Sequence, residues 1–435
     1  MKIVVSGTGY VALSTAVSLA KLGHIVICVD DNISAINSLS NAIVTINEQG
    51  LAENLAYFVD NGQLKFTTDI CKALQEVDVI VCCIVTPVTD VKGFADNSLI
   101  LEFAEKIGES ITTPTLYISS STIPLGTTRQ VKSIVDKNLS KRNIDIKFDV
   151  ASLPEFLREG RAIESFFNPL KVVIGTDNSE SYETILSLLS PTINESTPIF
   201  KTSIEEAELI KLASNMLLAT RISYMNTIAN VCEGMGAKYQ NVHRAVFGEN
   251  MPIYAGCGYG GECFPKDIRT LINGVEALEL DATLIKAVED FNQAQKLQLY
   301  NKLRNYYSDN LKGKRVAIWG LATRDASCDI ENTPSISITE SLLQDEAIVT
   351  VYDKSVVVKY KDKFPQESVI GCEDKMDTLH NADALIILTD SSEFKTISLK
   401  EVKELMKTPV IIDAKNLFNK KDIEEAGIVY YSLFK

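Results

Sequence analysis

Metal-ligand patterns and disulfide frameworks are both missing from this sequence of 435 residues. It has three histidines, and its nine cysteines are scattered without a CxxC pair, which argues against a zinc site. Several cysteines lie in apolar runs such as 79–85, where a thiol serves as a small core hydrophobe. An odd, scattered set of cysteines is typical of a reducing compartment. We therefore predict a cytoplasmic protein with no structural metal and no disulfide.

Positive charge and long apolar runs are also scarce. The chain has 43 Lys and Arg against 57 Asp and Glu, a net charge of −14. Nucleic-acid binding needs a basic surface, so the charge argues against that class of protein. No apolar stretch reaches the roughly 18 residues of a membrane span, and the first residues read as a strand rather than a signal peptide. The sequence predicts no nucleic-acid or membrane partner, although local lysines and backbone amides could still bind an anion.

Short β-branched runs alternate with helical patterns in the first part of the chain. The strand-like runs lie at 3–6, 25–30, 77–85, 115–120 and 148–151, and the same pattern continues at 172–175 and 198–200. Apolar runs of this kind, separated by helices, are typical of a parallel sheet covered on both faces.

The middle of the chain is helical, and a second alternation of strands and helices follows it. Residues from Ser203 to about Gly234 contain no Pro and only the final Gly, and Ser203 with Glu206 forms a capping box. Further strand runs recur at 316–320, 348–352, 384–388 and 410–413. We predict an α/β protein in which two Rossmann-like, doubly wound domains are joined by a helical middle with one long central helix. The predicted domains are 1–200, 201–308 and 309–435.

The turn Gly7-Thr8-Gly9 follows the first strand and opens the first helix. Two glycines allow a tight turn and close approach of a pyrophosphate, which the helix N-terminus favours electrostatically. Ala12 stands at the third glycine position, and Asp30 ends the second strand about 20 residues further on. An acid there accepts hydrogen bonds from both ribose hydroxyls, so the motif predicts NAD rather than NADP. A turn without a ligand is the alternative.

A second glycine-rich stretch, 256–261, comes shortly before Cys263. Pro265 follows the cysteine closely, which suggests a loop leading into a helix. A thiol at a helix N-terminus beside Lys266 would be nucleophilic. A buried structural cysteine is an equally good interpretation of this stretch alone.

Two further patterns are weaker. Glu155 and Glu159 follow a strand end and could form a solvated pair on a helix. Lys211 and Asn215 share a face of the predicted long helix, and a lysine there commonly only extends to the rim of an apolar surface.

Taken in chain order, six segments resemble motifs of the UDP-glucose/GDP-mannose dehydrogenase family, and the resemblance covers nearly the whole chain. Each motif is modest support alone, but six in the family's order are specific. The segments are 7–13 (GxGYVGL), 86–87 (TP), 121–127 (STVPxGT), 154–160 (PEFLREG), 208–215 (ExIKxxxN) and 258–267 (GYGGxCxPKD).

The resemblance implies an enzyme that uses NAD to oxidise a sugar nucleotide twice at C6, with UDP-glucose as the expected substrate. The first oxidation gives an aldehyde, which has no good route to a second hydride transfer unless a nucleophile adds to it. A cysteine thiolate would supply a thiohemiacetal, the second oxidation would leave a thioester, and water would release the acid. This chemistry requires both a nucleophile and a base.

The resemblance also implies roles for individual residues. Cys263 would be the nucleophile, and Glu155 would be the base for thioester hydrolysis, with Thr122 helping to position water. Lys211 and Asp267 would hold the reacting oxygen and an ordered water.

Asn215 would join Lys211 and Asp267 in donating to the developing oxyanion. The expected cofactor-binding residues are Gly7, Gly9, Tyr10, Val11, Asp30, Thr86, Thr122, Glu159 and Lys266. The expected substrate-binding residues are Glu155, Phe156, Leu157, Arg158, Glu159, Lys211, Asn215, Tyr254, Gly260, Phe264 and Arg324.

Two segments depart from the family pattern. The family's DPRI-like stretch, whose Arg reaches a substrate in the partner subunit, reads here as 248–254 without an Arg, and Arg244 lies upstream. In the third-domain motif, Arg324 replaces a phosphate-contacting Lys, and Glu331 stands where the family has a cofactor-side Arg. These departures bear on the substrate rather than on the reaction class.

Several alternatives therefore stay open. The same chemistry could act on GDP-mannose or a UDP-N-acetylhexosamine, the enzyme could make a single oxidation, or the chain could be a silent nucleotide-sugar sensor.

The long helix that starts at Ser203 predicts a homodimer.

Overall fold

A computed structural model describes residues 1–44, 46, 48–87, 95–248, 255–325 and 327–433. The chain divides into two compact units, Met1–Ser214 with Arg269–Leu280, and Asn215–Ile268 with Asp281–Lys435. The three-domain division given above stays a prediction.

A sheet lies at the centre of the first unit. Its strands are β1 (Lys2–Ser6), β2 (Ile25–Val29), β3 (Leu64–Thr67), β4 (Val79–Cys82), β5 (Thr115–Ser119), β6 (Phe148–Ser152), β7 (Val172–Gly175) and β8 (Ile199–Thr202). Their order is β3-β2-β1-β4-β5-β6-β7-β8. Neighbours run parallel except β6 and β7, which meet antiparallel at Ser152 and Gly175. The predicted parallel arrangement is therefore wrong at this one junction.

Helices cover both faces of this sheet. Along β1, Ile3 and Val5 pack into one apolar cluster and Val4 packs into another, so successive side chains enter two separate cores. The near-continuous apolar strands are a consequence of this double burial. The helices are α1 (Tyr10–Lys21), α2 (Ile33–Ser40), α3 (Leu51–Asp60), α4 (Ile70–Ala73), α5 (Ser98–Ser110), α6 (Thr127–Lys141), α7 (Ala162–Phe167) and α8 (Ser179–Leu189), with a 3-10 turn at Ser190–Thr192.

The predicted long helix is present and begins where its capping box indicated. The Ser203 N–H donates to Glu206 Oε2 (2.7 Å), and the Glu206 N–H donates to Ser203 Oγ (3.2 Å). These reciprocal bonds satisfy two amides that the first turn leaves without partners. The helices of this region are α9 (Ile204–Met235), α10 (Tyr239–Phe247), α11 (Cys263–Ala277), α12 (Thr283–Lys296) and α13 (Gln298–Tyr306).

The second unit has its own parallel sheet. Its strands are β9 (Arg315–Trp319), β10 (Ile348–Tyr352), β11 (Val369–Gly371), β12 (Ala384–Ile387), β13 (Val410–Asp413) and β14 (Val429–Ser432). Their order, β11-β10-β9-β12-β13-β14, repeats that of the first six strands of the other sheet. The remaining helices are α14 (Pro334–Gln344), α15 (Val357–Lys361), α16 (Ser392–Lys395), α17 (Leu399–Leu405) and α18 (Lys420–Glu425), with a 3-10 turn at Met376–Leu379.

Each sheet therefore reverses its strand order at one point, between β1 and β4 in the first and between β9 and β12 in the second. At such a reversal the loops diverge and leave a crevice beyond the carboxyl ends of the strands, which is where doubly wound sheets bind ligands. The predicted fold class is confirmed. None of the described helices is both long and apolar enough to cross a membrane.

Gly175 provides a test of packing between β7 and α9. A Cβ at this position would collide with the Ala207 Cβ and would lie 2.6 Å from the Ser203 carbonyl oxygen. We expect Gly175→Ala to destabilise the protein by about 1–3 kcal/mol, because neither neighbour is the end of a flexible side chain.

The matched control is Gly234→Ala near the end of α9, where a new Cβ meets nothing within 4 Å. This change should be neutral or stabilising by up to about 1 kcal/mol. Thermal unfolding followed by circular dichroism compares the two variants, and equal midpoints would contradict the packing described.

Candidate active site

The first βα turn has the geometry of an anion-binding turn. Gly7 has φ of +97°, a conformation that favours glycine, and a Cβ there would make a tight contact of 3.2 Å with the Cys83 carbonyl oxygen. Gly9 is the N-cap of α1, and no side chain caps this helix. The first N–H groups of α1 are thus available to a phosphate, and the helix dipole favours negative charge there.

A cavity of about 330 Å³ lies beside this turn and is bordered by Gly7, Gly9 and Asp30. One oxygen of Asp30 accepts from Thr8 Oγ1 (2.7 Å) and the other from the Asn32 N–H (2.9 Å), which fixes the carboxylate at the end of β2. The glycine turn, the uncapped helix and the fixed acid fit an NAD molecule with its pyrophosphate on α1 and a ribose on Asp30. Tyr10 and Val11 begin α1 but do not border this cavity.

The ends of β4 and β5 are tied together next to this turn. Thr86 is fully buried, and its hydroxyl donates to the Thr122 carbonyl oxygen (3.0 Å). The Ser120 and Ser121 N–H groups both donate to the Cys82 carbonyl oxygen (3.0 and 3.1 Å). These bonds fix the backbone of the segment that carries Thr122.

The segment 153–160 is a loop rather than a helix, so the interpretation of Glu155 and Glu159 as a helical pair is wrong. Lys211 Nζ donates to the Glu155 carbonyl oxygen (2.7 Å) and forms an ion pair with Glu155 Oε1 (2.9 Å). The second carboxylate oxygen accepts from the Leu157 N–H (2.6 Å). The Lys211 side chain is only 12% exposed, so it does not merely extend to a rim.

Two ammonium groups lie close to the ring of Phe156. Lys171 Nζ is 4.3 Å and Lys211 Nζ is 5.4 Å from the ring centroid, within the range of cation–π attraction. Burial lowers the pKa of Lys171, and the charge of Lys211 adds to this effect. The loop is therefore fixed through both its carboxylate and its aromatic side chain.

In the second unit, α11 begins at Cys263, as the sequence suggested. The cysteine is exposed, whereas Asp267, one turn further along the same helix, is only 1% exposed. Asn215 Nδ2 donates to Asp267 Oδ2 (2.6 Å). The structure thus brings together two pairs of predicted catalytic residues, Lys211 with Glu155 and Asn215 with Asp267.

The glycine-rich loop before Cys263 is held on one side by buried amides. Asn292 Oδ1 accepts from the Tyr259 N–H (2.7 Å), and its Nδ2 donates to the Tyr259 carbonyl oxygen (3.0 Å). The Gly256 N–H donates to Asn226 Oδ1 (2.7 Å), and Gln295 Nε2 donates to the Gly256 carbonyl oxygen (2.8 Å). Each of these side chains is at most 3% exposed.

A segment after β9 holds the other side of the same loop. The Gly261 N–H donates to the Glu331 carbonyl oxygen (2.7 Å), and the Glu262 N–H donates to Asp329 Oδ2 (2.9 Å). A Cβ on Gly260 would lie 2.5 Å from the Asn332 carbonyl oxygen, so only glycine fits. The backbone leading into Cys263 therefore has hydrogen-bonding partners on both sides.

A cavity of about 1040 Å³ opens in the second unit beyond the carboxyl ends of β9, β12 and β13. Its basic lining residues are Arg244, Arg324 and Lys415, and no described lining residue is acidic. Asp413 shapes this wall because its carboxylate accepts from the Lys415 and Leu417 N–H groups (2.7 and 2.6 Å). In a chain of net charge −14, an excess of positive charge in one cavity predicts an anionic ligand.

No group of His, Cys, Asp and Glu side chains in the described ranges is arranged to hold a metal ion. The nine cysteines, all within those ranges, form no disulfide.

Comparison with known proteins accounts for this arrangement. The sequence matches the NAD binding domain of the UDP-glucose/GDP-mannose dehydrogenase family over residues 1–193, its central domain over 205–294 and its UDP binding domain over 317–420. The chain belongs to this family. It is an NAD-dependent oxidoreductase, as the sequence motifs predicted.

Two curated relatives align over almost their full length. UDP-glucose 6-dehydrogenase TuaD of Bacillus subtilis is 37% identical, over 99% of this chain and 93% of the relative. The UDP-glucose 6-dehydrogenase of Pseudomonas aeruginosa is 32% identical, over 100% and 97%.

Two solved structures share the fold of this chain. A UDP-glucose dehydrogenase from Pyrobaculum islandicum aligns with a TM-score of 0.87 at 30% identity, over 99% of this chain and 97% of that one. A UDP-D-ManNAc dehydrogenase from Pyrococcus horikoshii shares the fold, with a TM-score of 0.86 at 23% identity over 100% and 99%.

Glu208 has a structural role that its position in a family motif did not reveal. It is buried, and its two oxygens accept from the Gly126 N–H (2.6 Å) and the Thr128 N–H (3.1 Å) at the start of α6. Burial raises the pKa of Glu208, and the amide bonds oppose this shift. Glu208 thus holds the end of the segment that carries Thr122.

Glu331, where this dehydrogenase departs from the family pattern, is paired within its own unit. Lys363 Nζ lies 2.5 Å from Glu331 Oε1. The reversed charge is therefore compensated by a lysine just after α15.

The remaining predicted site residues lie in several different parts of the structure. Glu159 lies in the 153–160 loop, Lys266 is buried on α11, and Gly260 and Arg324 border the large cavity. Phe264 packs edge-on against Tyr259, with the ring centroids 4.9 Å apart. Tyr254 lies outside the described residues. The roles assigned to all these residues stay predictions.

Asn292 offers a test of how the loop before Cys263 is held. Asn292→Ala removes both bonds to the Tyr259 backbone and leaves buried polar groups unsatisfied, at a cost of about 1–3 kcal/mol. Amide exchange within 256–262 should then become at least about fivefold faster, because local opening requires less free energy.

Hydrogen–deuterium exchange with peptide mass spectrometry measures this effect. The control is Asp290→Asn, on the exposed side of the same helix, and it should leave exchange unchanged. Equal protection in the Asn292→Ala variant would show that the loop does not depend on this side chain.

Proposed function

We propose that this enzyme oxidises UDP-glucose to UDP-glucuronate in two NAD-dependent steps at one site. The observation that carries the proposal is the exposed thiol of Cys263 at the first residue of α11, after a loop fixed from both sides. The names of the curated relatives, UDP-glucose 6-dehydrogenases at 32–37% identity, support UDP-glucose as the substrate.

The second of the two oxidations is the step that needs a thiol. One primary alcohol, two NAD and one water give one carboxylate, two NADH and three protons. NAD, when bound on α1, accepts a hydride in each oxidation. Between the oxidations, the Cys263 sulfur adds to the aldehyde carbon and forms a thiohemiacetal. Oxidation of that carbon gives a thioester, and water then breaks the C–S bond and returns the thiolate.

The polar side chains around this chemistry take distinct roles in the proposal. Asn215 and Asp267, joined by a 2.6 Å hydrogen bond, hold the reacting oxygen and an ordered water together with Lys211. Glu155 takes a proton from the water that attacks the thioester, and Thr122 helps to position that water. The ion pair with Lys211 orients the Glu155 carboxylate for this step.

The large cavity of the second unit would bind the UDP moiety. Arg324, Arg244 and Lys415 border it, and their charges suit a diphosphate. Gly260 and Phe264 would contact the sugar nucleotide, and Arg244 would provide a cation that the 248–254 segment lacks. Tyr254 keeps its proposed substrate role from the family resemblance alone.

Counting products tests the reaction. We expect two NADH and one carboxylate per UDP-glucose, and Cys263→Ser should reduce acid formation by at least about 10³-fold, because the second oxidation loses its nucleophile. The control is Cys71→Ser, an exposed cysteine on α4 that should have no effect.

Each contrary outcome has a distinct meaning. One NADH per substrate with release of an aldehyde would indicate a single-oxidation dehydrogenase. A higher kcat/KM with GDP-mannose or a UDP-N-acetylhexosamine would reassign the substrate, and no NADH with any sugar nucleotide would indicate a binding protein.

We also infer a homodimer that pairs through α9. Leu217, Tyr224 and Val231 are 61%, 50% and 51% exposed and recur every seven residues, so they form one apolar stripe. A second copy of the chain would cover this stripe. A cytoplasmic location remains a further proposal, supported by cysteines that form no disulfide.

Light scattering tests the dimer. The wild-type mass should be twice that of one chain, and Tyr224→Glu should shift it towards a single chain because a charge would be buried at the contact. A wild-type monomer at micromolar concentration would contradict the inference.

A further inference from the structure

A single hydroxyl group joins the dinucleotide-binding helix to the loop proposed to bind the sugar nucleotide. Tyr10 is the first residue of α1, directly after Gly9. Its hydroxyl lies 2.7 Å from Glu48 Oε2 and 2.9 Å from the Arg158 carbonyl oxygen. The side chain therefore extends from the cofactor helix to the 153–160 loop.

Glu48 extends this connection to the far end of the loop. It lies between α2 and α3 and is only 7% exposed. Its second oxygen, Oε1, accepts from the N–H of Ala162, the first residue of α7 (2.7 Å). One carboxylate thus contacts both the first residue of α1 and the first residue of α7.

The Tyr10 hydroxyl remains protonated in this environment. Burial raises the pKa of Tyr10 well above its ordinary value, and the hydrogen bond to Glu48 adds to the shift. The group is thus a hydroxyl across the working pH range, able to donate to the carboxylate or to the carbonyl oxygen.

The loop is consequently fixed at its two ends by different groups. At its start, the Leu153 N–H donates to the Ser119 carbonyl oxygen (2.9 Å), and Lys211 binds Glu155. At its end, the anchors are the Tyr10 hydroxyl on Arg158 and the Glu48 carboxylate on Ala162. The residues between the anchors are those expected to line the sugar nucleotide.

We propose that Tyr10, at the start of the cofactor helix, and Glu48, before α3, are a positioning pair that sets the 155–159 loop for the sugar nucleotide. The identity of that ligand rests on the proposed function. The Tyr10 hydroxyl contacts the loop, and the predicted cofactor-binding role of Tyr10 stays a prediction.

Steady-state kinetics with UDP-glucose and NAD test the pair through Tyr10→Phe, Glu48→Gln and the double variant. We expect the KM for UDP-glucose to rise about 5- to 20-fold in each, as for loss of one buried hydrogen bond, while the KM for NAD changes less than about twofold. Because the Tyr10 hydroxyl and the Glu48 carboxylate are hydrogen-bonded to each other, the two changes remove one shared bond, and the double variant should be less impaired than the sum of the single variants. Tyr57→Phe, an exposed tyrosine on α3, is the control.

Hydrogen–deuterium exchange measures the protection of the loop amides without any substrate. Amides of 154–162 should exchange faster in Tyr10→Phe than in wild type, which supports the positioning pair even if UDP-glucose proves not to be the substrate. Unchanged exchange, a rise in the KM for NAD alone, or additive effects in the double variant would each overturn it. A wild-type enzyme inactive on UDP-glucose would instead contradict only the proposed function.

Discussion

The structure depends above all on the hydrogen bonding of one glycine-rich loop. The backbone of 256–262 follows a path that leaves no room for a side chain at Gly260, and its peptide groups need buried partners. Asn292 supplies two of these bonds from α12, and Asp329 supplies another from the segment after β9. Since an unsatisfied buried amide costs about 1–3 kcal/mol, these partners favour one conformation of the loop. That conformation places Cys263 at the first residue of α11, where a helix N-terminus stabilises a thiolate.

The two sheets give the enzyme two ligand sites of different character. Both have the same strand order over six strands, and both leave a crevice where that order reverses. In the first sheet the crevice has a glycine turn and the fixed carboxylate of Asp30, which suit a dinucleotide. In the second, the crevice has Arg324 and Lys415 in an otherwise acidic chain, which suit a diphosphate. One architecture thus serves two ligands because the loops at the strand ends differ in charge.

Sequence patterns predicted the features that have a local signature and missed those that do not. The strands buried on both faces, the capping box at Ser203 and the start of α11 at Cys263 all follow from adjacent residues. The missed strands β3, β11 and β14 are short edge strands of three or four residues, and most of their side chains are only partly buried or exposed. Glu48, Glu208 and Asn292 were also missed, because each acts on a backbone group at least 33 residues away. The spacing of residues along the chain does not predict contacts over such sequence distances. Glu208 lies inside a recognised motif, but the motif did not indicate which backbone groups it binds.

The central claim is that one thiol retains the half-oxidised sugar through both oxidations. The most direct measurement is a single-turnover experiment with the Glu155→Gln variant, UDP-glucose and excess NAD, followed by mass spectrometry of the peptide that contains Cys263. Because this variant lacks the base for hydrolysis, two NADH should form per active site and the peptide should carry an acyl adduct on sulfur. Formation of one NADH with a free aldehyde and an unmodified Cys263 would contradict the account.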